Sequence, residues 1–167
     1  NQAWVRAATP SFELYTTEGE GSARAAILFL EQVRAFLSRN NPGLRLPADA
    51  VRIVSLRSER DFRPFGAPAG GAVFRRGIHH DTIVVQGLDP SRYPALVREY
   101  LRAVVSRFGE GAPPWLEQGL AEFYSTLKPA AGPGSLRIGD IPGEHAASLA
   151  RGRLVDLTAL FEVREAP

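Results

Sequence analysis

Arg98 and Arg102 stand four residues apart with Glu99 between them, and Gln118 and Glu122 repeat the same interval further along the chain. On a helix that interval stacks side chains on one face. Carboxylates at Glu99 and Glu122 offer proton transfer, and paired guanidiniums at Arg98 and Arg102 offer capture of a carboxylate through parallel N–H bonds. A plainer reading is also available. Arg and Glu at three- and four-residue spacing are common on solvated helix faces, where a Glu99–Arg102 pair would contribute about 0.3 kcal/mol.

The other reactive residue types are sparse. His79 and His80 are neighbours in an expected strand and so point to opposite faces, the wrong arrangement for ligating one metal together, and His145 stands alone. No Gly-x-Ser-x-Gly elbow and no phosphate-binding glycine loop occurs. The absence of cysteine removes disulfides, thiolate zinc sites and cysteine nucleophiles, and leaves the redox compartment open. Twenty basic residues are scattered among 18 acidic ones, for a net charge of +2, so no basic stripe suited to nucleic acid is expected. Lys128 is the only lysine, an arginine bias that reflects codon usage more than phosphate recognition. No apolar run approaches the length of a membrane span.

The elements that must position these residues follow from periodicity. With 167 residues, 44% of them hydrophobic, one domain with its own core is expected. Ser11–Thr17 alternates around Phe12 and Leu14 as a short strand, and Ser22 stands where it could cap a helix over Ala23–Arg39 that stops at Asn40-Asn41-Pro42-Gly43. Val51–Leu56 reads as a strand and Phe62–Gly71 as a loop. Ala72–Phe74 and Ile78–Val85 read as a hairpin around Arg75-Arg76-Gly77. Ser91 is an expected N-cap for a helix from Arg92 to Phe108, whose apolar residues recur at three and four without a gap. After a turn-rich break at Gly109–Pro114 comes a second helix, Trp115–Leu127, with Trp115 and Phe123 expected in the core. Leu136–Ile138 reads as a short strand and His145–Arg151 as weakly helical.

The pieces Arg98-Glu99-Tyr100-Leu101-Arg102 and Trp115-Leu116-Glu117-Gln118-Gly119-Leu120-Ala121-Glu122 resemble the core of the peptidase-MA-like group of gluzincins, zinc metallopeptidases that are mostly bacterial and extracytoplasmic. A zincin carries His-Glu-x-x-His on a helix, and a gluzincin adds a glutamate from the following helix, commonly within Trp-Leu-x-Glu-Gly-x-Ala-Glu. Aligned with that pattern, Arg98 and Arg102 stand at the histidine positions and Gln118 at the ligand glutamate, while Glu99 and Glu122 keep the family residue. A guanidinium has no lone pair to give. Each such cation about 4 Å from a divalent metal would cost roughly 8 kcal/mol at an effective dielectric of about 20.

The resemblance therefore implies an α+β, zincin-like domain over residues 1–167, with a small mixed or antiparallel sheet packed on a long N-terminal helix and two core helices. It implies a non-catalytic, pseudopeptidase-type binding or scaffold module without zinc or other cofactor, secreted or periplasmic, whose partner is a peptide or protein. Arg98 and Arg102 are expected to fill the former metal pocket and to pair with Glu99 or Glu122. The last strand of a zincin sheet borders the cleft, and the segment carrying His79, His80, Thr82 and Val84 is expected at that edge. The alternative is a metal-independent hydrolase using Glu99, Glu122 and a strand histidine. The chain starts at Asn1 without an apolar signal segment and is expected to be a piece of a longer protein with further domains.

Overall fold

The computed structural model describes residues 3–66, 70–107, 113–132, 134–141, 143–152 and 156–163. Phe108, most of the Gly109–Pro114 break and the middle of the Phe62–Gly71 stretch lie outside them. The described residues form a mixed α+β fold around a five-stranded sheet. In chain order the sheet strands are β1 (Val5–Ala8), β2 (Phe12–Thr16), β3 (Val51–Ser55), β4 (Ala72–Arg75) and β5 (Thr82–Val85). Their spatial order is β1-β2-β3-β5-β4, with β2, β3 and β5 parallel and an antiparallel strand at each edge.

Strict alternation puts Phe12, Leu14, Val51, Ile53, Ile83 and Val85 on one face, all essentially inaccessible to solvent. Helix α1 (Glu20–Asn40) lays Ala23, Ala26, Ile27, Leu30, Val33 and Leu37 into the same core. Gly19, at φ 89°, starts this helix without a side-chain cap, so Ser22 lies inside the first turn and is not the cap. The helix ends where the Asn40 and Asn41 side-chain amides donate to the carbonyls of Phe36 and Leu37, satisfying groups that the helix leaves open.

Helix α3 (Tyr93–Val105) crosses the same face and is buried on most of its circumference. Its entry is a 3-10 turn, Pro90–Arg92, in which the Asp89 carboxylate accepts the Ser91 N–H at 2.9 Å. Asp89, two residues back, holds this turn and Ser91 is the donor, the reverse of the expected cap. Pro94 falls in the first turn as expected. Helix α4 (Pro114–Ser125) packs along α3 and buries only Ala121 and Ser125 fully. Phe123 is half exposed, so it is not core.

Two further corrections concern β5. Residues 76–81 are a connection and not strand, because the pairing with β4 starts only at Arg75 opposite Thr82. His79 and His80 therefore sit in a loop, beside Ile78, whose side chain is fully in solvent. The edge on this side of the sheet is β4, since β5 is flanked by β3 on one side and by its own hairpin partner on the other. Thr82 and Val84 thus belong to an interior strand. Short helices α2 (Glu59–Phe62), α5 (Gly143–Ala150) and α6 (Leu157–Glu162) and a small ladder of Lys128–Pro129 (β6) with Leu136–Arg137 (β7) complete the described residues. Among these residues no helix is long and apolar enough to cross a membrane.

Candidate functional site

Arg98, Glu99, Arg102, Gln118 and Glu122 meet in space, brought together because α3 and α4 run side by side with these residues along the seam. The Arg98 Nη2 donates to Glu122 Oε2 at 3.0 Å, and its Nε lies 2.7 Å from Oε1 as an ionic contact without hydrogen-bond alignment. Arg102 divides its donors between the helices. Its Nη1 donates to Glu99 Oε1 at 2.9 Å and its Nη2 to the Gln118 carbonyl oxygen at 3.1 Å.

Glu99 is the buried member of the group, with a side chain only 6% exposed, while Arg102 keeps 31% of its surface. Its second oxygen, Oε2, accepts the backbone N–H of Phe74 at 3.0 Å. Phe74 lies in β4, so this bond ties the helix to the sheet edge. Arg75 Nη1 meanwhile donates to the Phe74 carbonyl at 3.3 Å. The outward-facing backbone groups of Phe74 are thus both engaged within the chain, which blunts that part of the edge against addition of another strand.

Two guanidiniums face two carboxylates, so the cluster is neutral as a whole, and each charged group has a partner, as burial of charge requires. The residues present do not fit a zinc ion. The two positions nearest Glu99 and Glu122 hold cations without lone pairs, already drawn onto the carboxylates that would otherwise offer oxygen ligands. Among the described residues no three His, Asp or Glu side chains gather as a group able to hold a metal.

The histidines lie elsewhere. His79 and His80 line a small polar cavity of about 220 Å³ with Asp49, Asp81 and Arg107, and neither bonds to Glu99 or Glu122. Asp81 there is buried and ion-paired to Arg107 at 2.6 Å, a bond that pins the end of α3 to the start of β5. His145 is on α5. The contact that sequence reasoning missed is Phe74: a backbone N–H leaves no residue-type signal, and only the edge position of β4 points to it.

These elements make the chain a mixed α+β protein with a neutral ion-pair cluster between two core helices and an edge strand. No family model matches the chain, and no curated protein and no solved structure matches it.

Proposed function

We propose that the chain is a zincin-like, peptidase-MA-like domain of gluzincin type that has lost its zinc site and serves as a non-catalytic binding or scaffold module. The observation that carries this reading is the bonding of Glu99. The residue at the general-base position of the His-Glu-x-x-His pattern spends both carboxylate oxygens on internal partners, Arg102 and the Phe74 N–H. A general base needs a free oxygen within reach of a water or substrate proton. Here that position holds the sheet edge to the helix pair instead.

The sheet order supports the same reading. An antiparallel edge strand lies next to a helix carrying the Arg98, Glu99 and Arg102 triplet, with the second helix contributing Gln118. With Phe74 engaged, the module's partner surface is not strand addition across that residue. A protein partner or an adjoining domain meets the outside of the helix pair or the remaining edge. An extracytoplasmic location belongs to this proposal through the resemblance alone.

The test is reconstruction. The triple variant Arg98→His, Arg102→His, Gln118→Glu restores three ligand types at the three positions, and zinc content is measured by native mass spectrometry beside the wild type. One zinc per folded variant chain and none in the wild type is the expected result. A folded variant that takes no zinc would show that these positions do not superpose on a metal site. Stoichiometric zinc in the wild type would overturn the non-catalytic reading directly.

A further inference from the structure

The two edges of the sheet differ. At β4 the outward backbone groups of Phe74 are engaged by Glu99 and Arg75. At β1 the situation is the reverse. Thr9 donates its N–H to the Phe12 carbonyl at 2.9 Å, which makes these two residues a hydrogen-bonded pair at the end of the β1–β2 ladder. Such pairs alternate along an antiparallel ladder. Ala7 and Val5 therefore bond to β2 as well, while Arg6 and Ala8 turn their N–H and C=O groups away from it. Among the described residues no backbone group bonds to them there. An unpaired edge of this kind is a template for another strand.

The side chains of β1 restrict what can be added. Val5 and Ala7 pack against the core, and Arg6 and Ala8 lie on the exposed face. An incoming strand must match that alternation, because a slip by one residue sends apolar side chains to the wrong face. Arg6 does not guard the edge by repulsion, since Glu13 in β2 holds its guanidinium at 2.8 Å and offsets the charge. Pro10, just past the strand, has no N–H to offer and limits the ladder at that end.

We infer that β1 pairs with β1 of a second copy of this chain, antiparallel, about a two-fold axis at Ala7, joining two five-stranded sheets into one. This register sets Arg6 opposite Ala8 of the second copy, and the reverse. Those are the residues whose backbone groups face outward, so both pairs exchange their N–H and C=O bonds. The other symmetric registers are poorer. An axis at Arg6 sets guanidinium directly against guanidinium, and an axis at Ala8 sets Arg6 opposite Pro10, which cannot donate. With the axis at Ala7, the small Ala8 side chain lies between Glu13 and the incoming arginine, so the carboxylate faces a cation from each copy. The helices fit as well. Helix α1 packs on β1 and β2 alike, so edges joined at a strand spacing of about 4.8 Å bring the two α1 axes to about 10 Å, a helix-packing distance. This edge lies across the sheet from the β4 edge that Glu99 holds, so the pairing is independent of the zinc-site reading.

The experiment is sedimentation of the full chain over a series of concentrations. A reversible monomer–dimer equilibrium in the micromolar range is expected, as suits a small interface. Ala8→Arg is the discriminating variant. Within one chain it sets a cation opposite Glu13, which favours the fold, and across the axis it sets that cation opposite Arg6 of the second copy. The dimer should weaken about tenfold while the urea midpoint holds or rises. Ala7→Cys gives a second readout. The chain has no cysteine, and residues facing each other in a non-hydrogen-bonded pair have Cα atoms about 4.5 Å apart, within disulfide range. Oxidation should trap Ala7→Cys as a covalent dimer, while Ser91→Cys, exposed on the turn before α3, should stay monomeric. A wild type that remains monomeric overturns the inference and would leave the edge to a strand of another protein. It is also overturned by a dimer that Ala8→Arg leaves at wild-type affinity, or by crosslinking no faster in Ala7→Cys than in Ser91→Cys, which would move the contact to another face.

Discussion

Replacing Glu99 by alanine removes the one group that α3, the edge strand and Arg102 share, and the cost can be worked from its bonds. The Glu99 side chain accepts from Arg102 at 2.9 Å and from the Phe74 N–H at 3.0 Å, at 6% exposure. A hydrogen bond to a charged group contributes about 1.5–3 kcal/mol net, and breaking a buried pair by removing one partner costs about 3–5 kcal/mol. Arg102 is partly exposed and can turn to water, which limits its share of the penalty. The expected loss for Glu99→Ala is therefore about 3 kcal/mol, and for Glu99→Gln, which keeps an acceptor for Phe74 but no charge, about 1–2 kcal/mol. Urea unfolding with constant slope measures both, and amide exchange at Phe74 reports the bond itself, with protection reduced in the alanine variant. A double-mutant cycle with Arg102→Ala should return a coupling of about 1 kcal/mol or more. A loss under about 0.5 kcal/mol with unchanged exchange at Phe74 would refute the assignment, since that is the range of a solvated surface pair.

Two further outcomes follow from local geometry. Glu13 is held down to about 2 from 4.5, mainly by the Tyr15 hydroxyl and then by Arg6, with Arg52 adding to them against the opposing effect of burial. Because the folded value is depressed, the stability it contributes is complete above pH 4.5 and is lost as pH falls through about 2, so the urea midpoints of wild type and Glu13→Gln should converge across that window. A gap that stays constant with pH would contradict the Glu13 environment described. Gly77→Ala would drive a Cβ into the His80 carbonyl oxygen, a backbone atom, so residues 76–81 must shift. The expected cost is about 1–3 kcal/mol in thermal unfolding, and an unchanged midpoint would mean that this loop yields freely.

The helices were the legible part of the fold. The apolar residues of α1 and α3 recur at helical spacing, and their burial follows that stripe residue by residue from Ala23 to Leu37 and from Tyr93 to Val104. The strands were legible only where alternation was strong. Val5–Ala8 was not, since Arg6, Ala7 and Ala8 give little β preference and its place comes from pairing with β2. The order of β4 and β5 was hidden for a different reason. Both segments carry β-branched and aromatic residues, and which becomes the edge depends on β5 pairing with β3, far away in sequence. Phe123 misled because aromatic identity at helical spacing does not say which face a neighbour covers. In the cluster, the intervals within each helix were readable, and the pairing of Arg98 with Glu122 follows from placing the helices side by side. The Phe74 bond had to come from the three-dimensional arrangement.

Gln118 meets the cluster through Arg102. Its carbonyl oxygen accepts from Arg102 without adding charge, so two guanidiniums balance two carboxylates. A glutamate at the same position would set a third carboxylate against two cations, beside a Glu99 that is already desolvated and has no room to turn to water. Conversely, neutral residues at 98 and 102 would leave Glu99 and Glu122 unmatched at the helix seam. Arg102 is the residue that joins Glu99 to Gln118, while Arg98 and Glu122 form a separate pair along the same seam. Glu99 is what separates the arrangement from a solvated helix face, since Arg98, Arg102, Gln118 and Glu122 all keep access to water and Glu99 does not. Arg102 and the Phe74 N–H between them satisfy both oxygens of the buried Glu99 side chain.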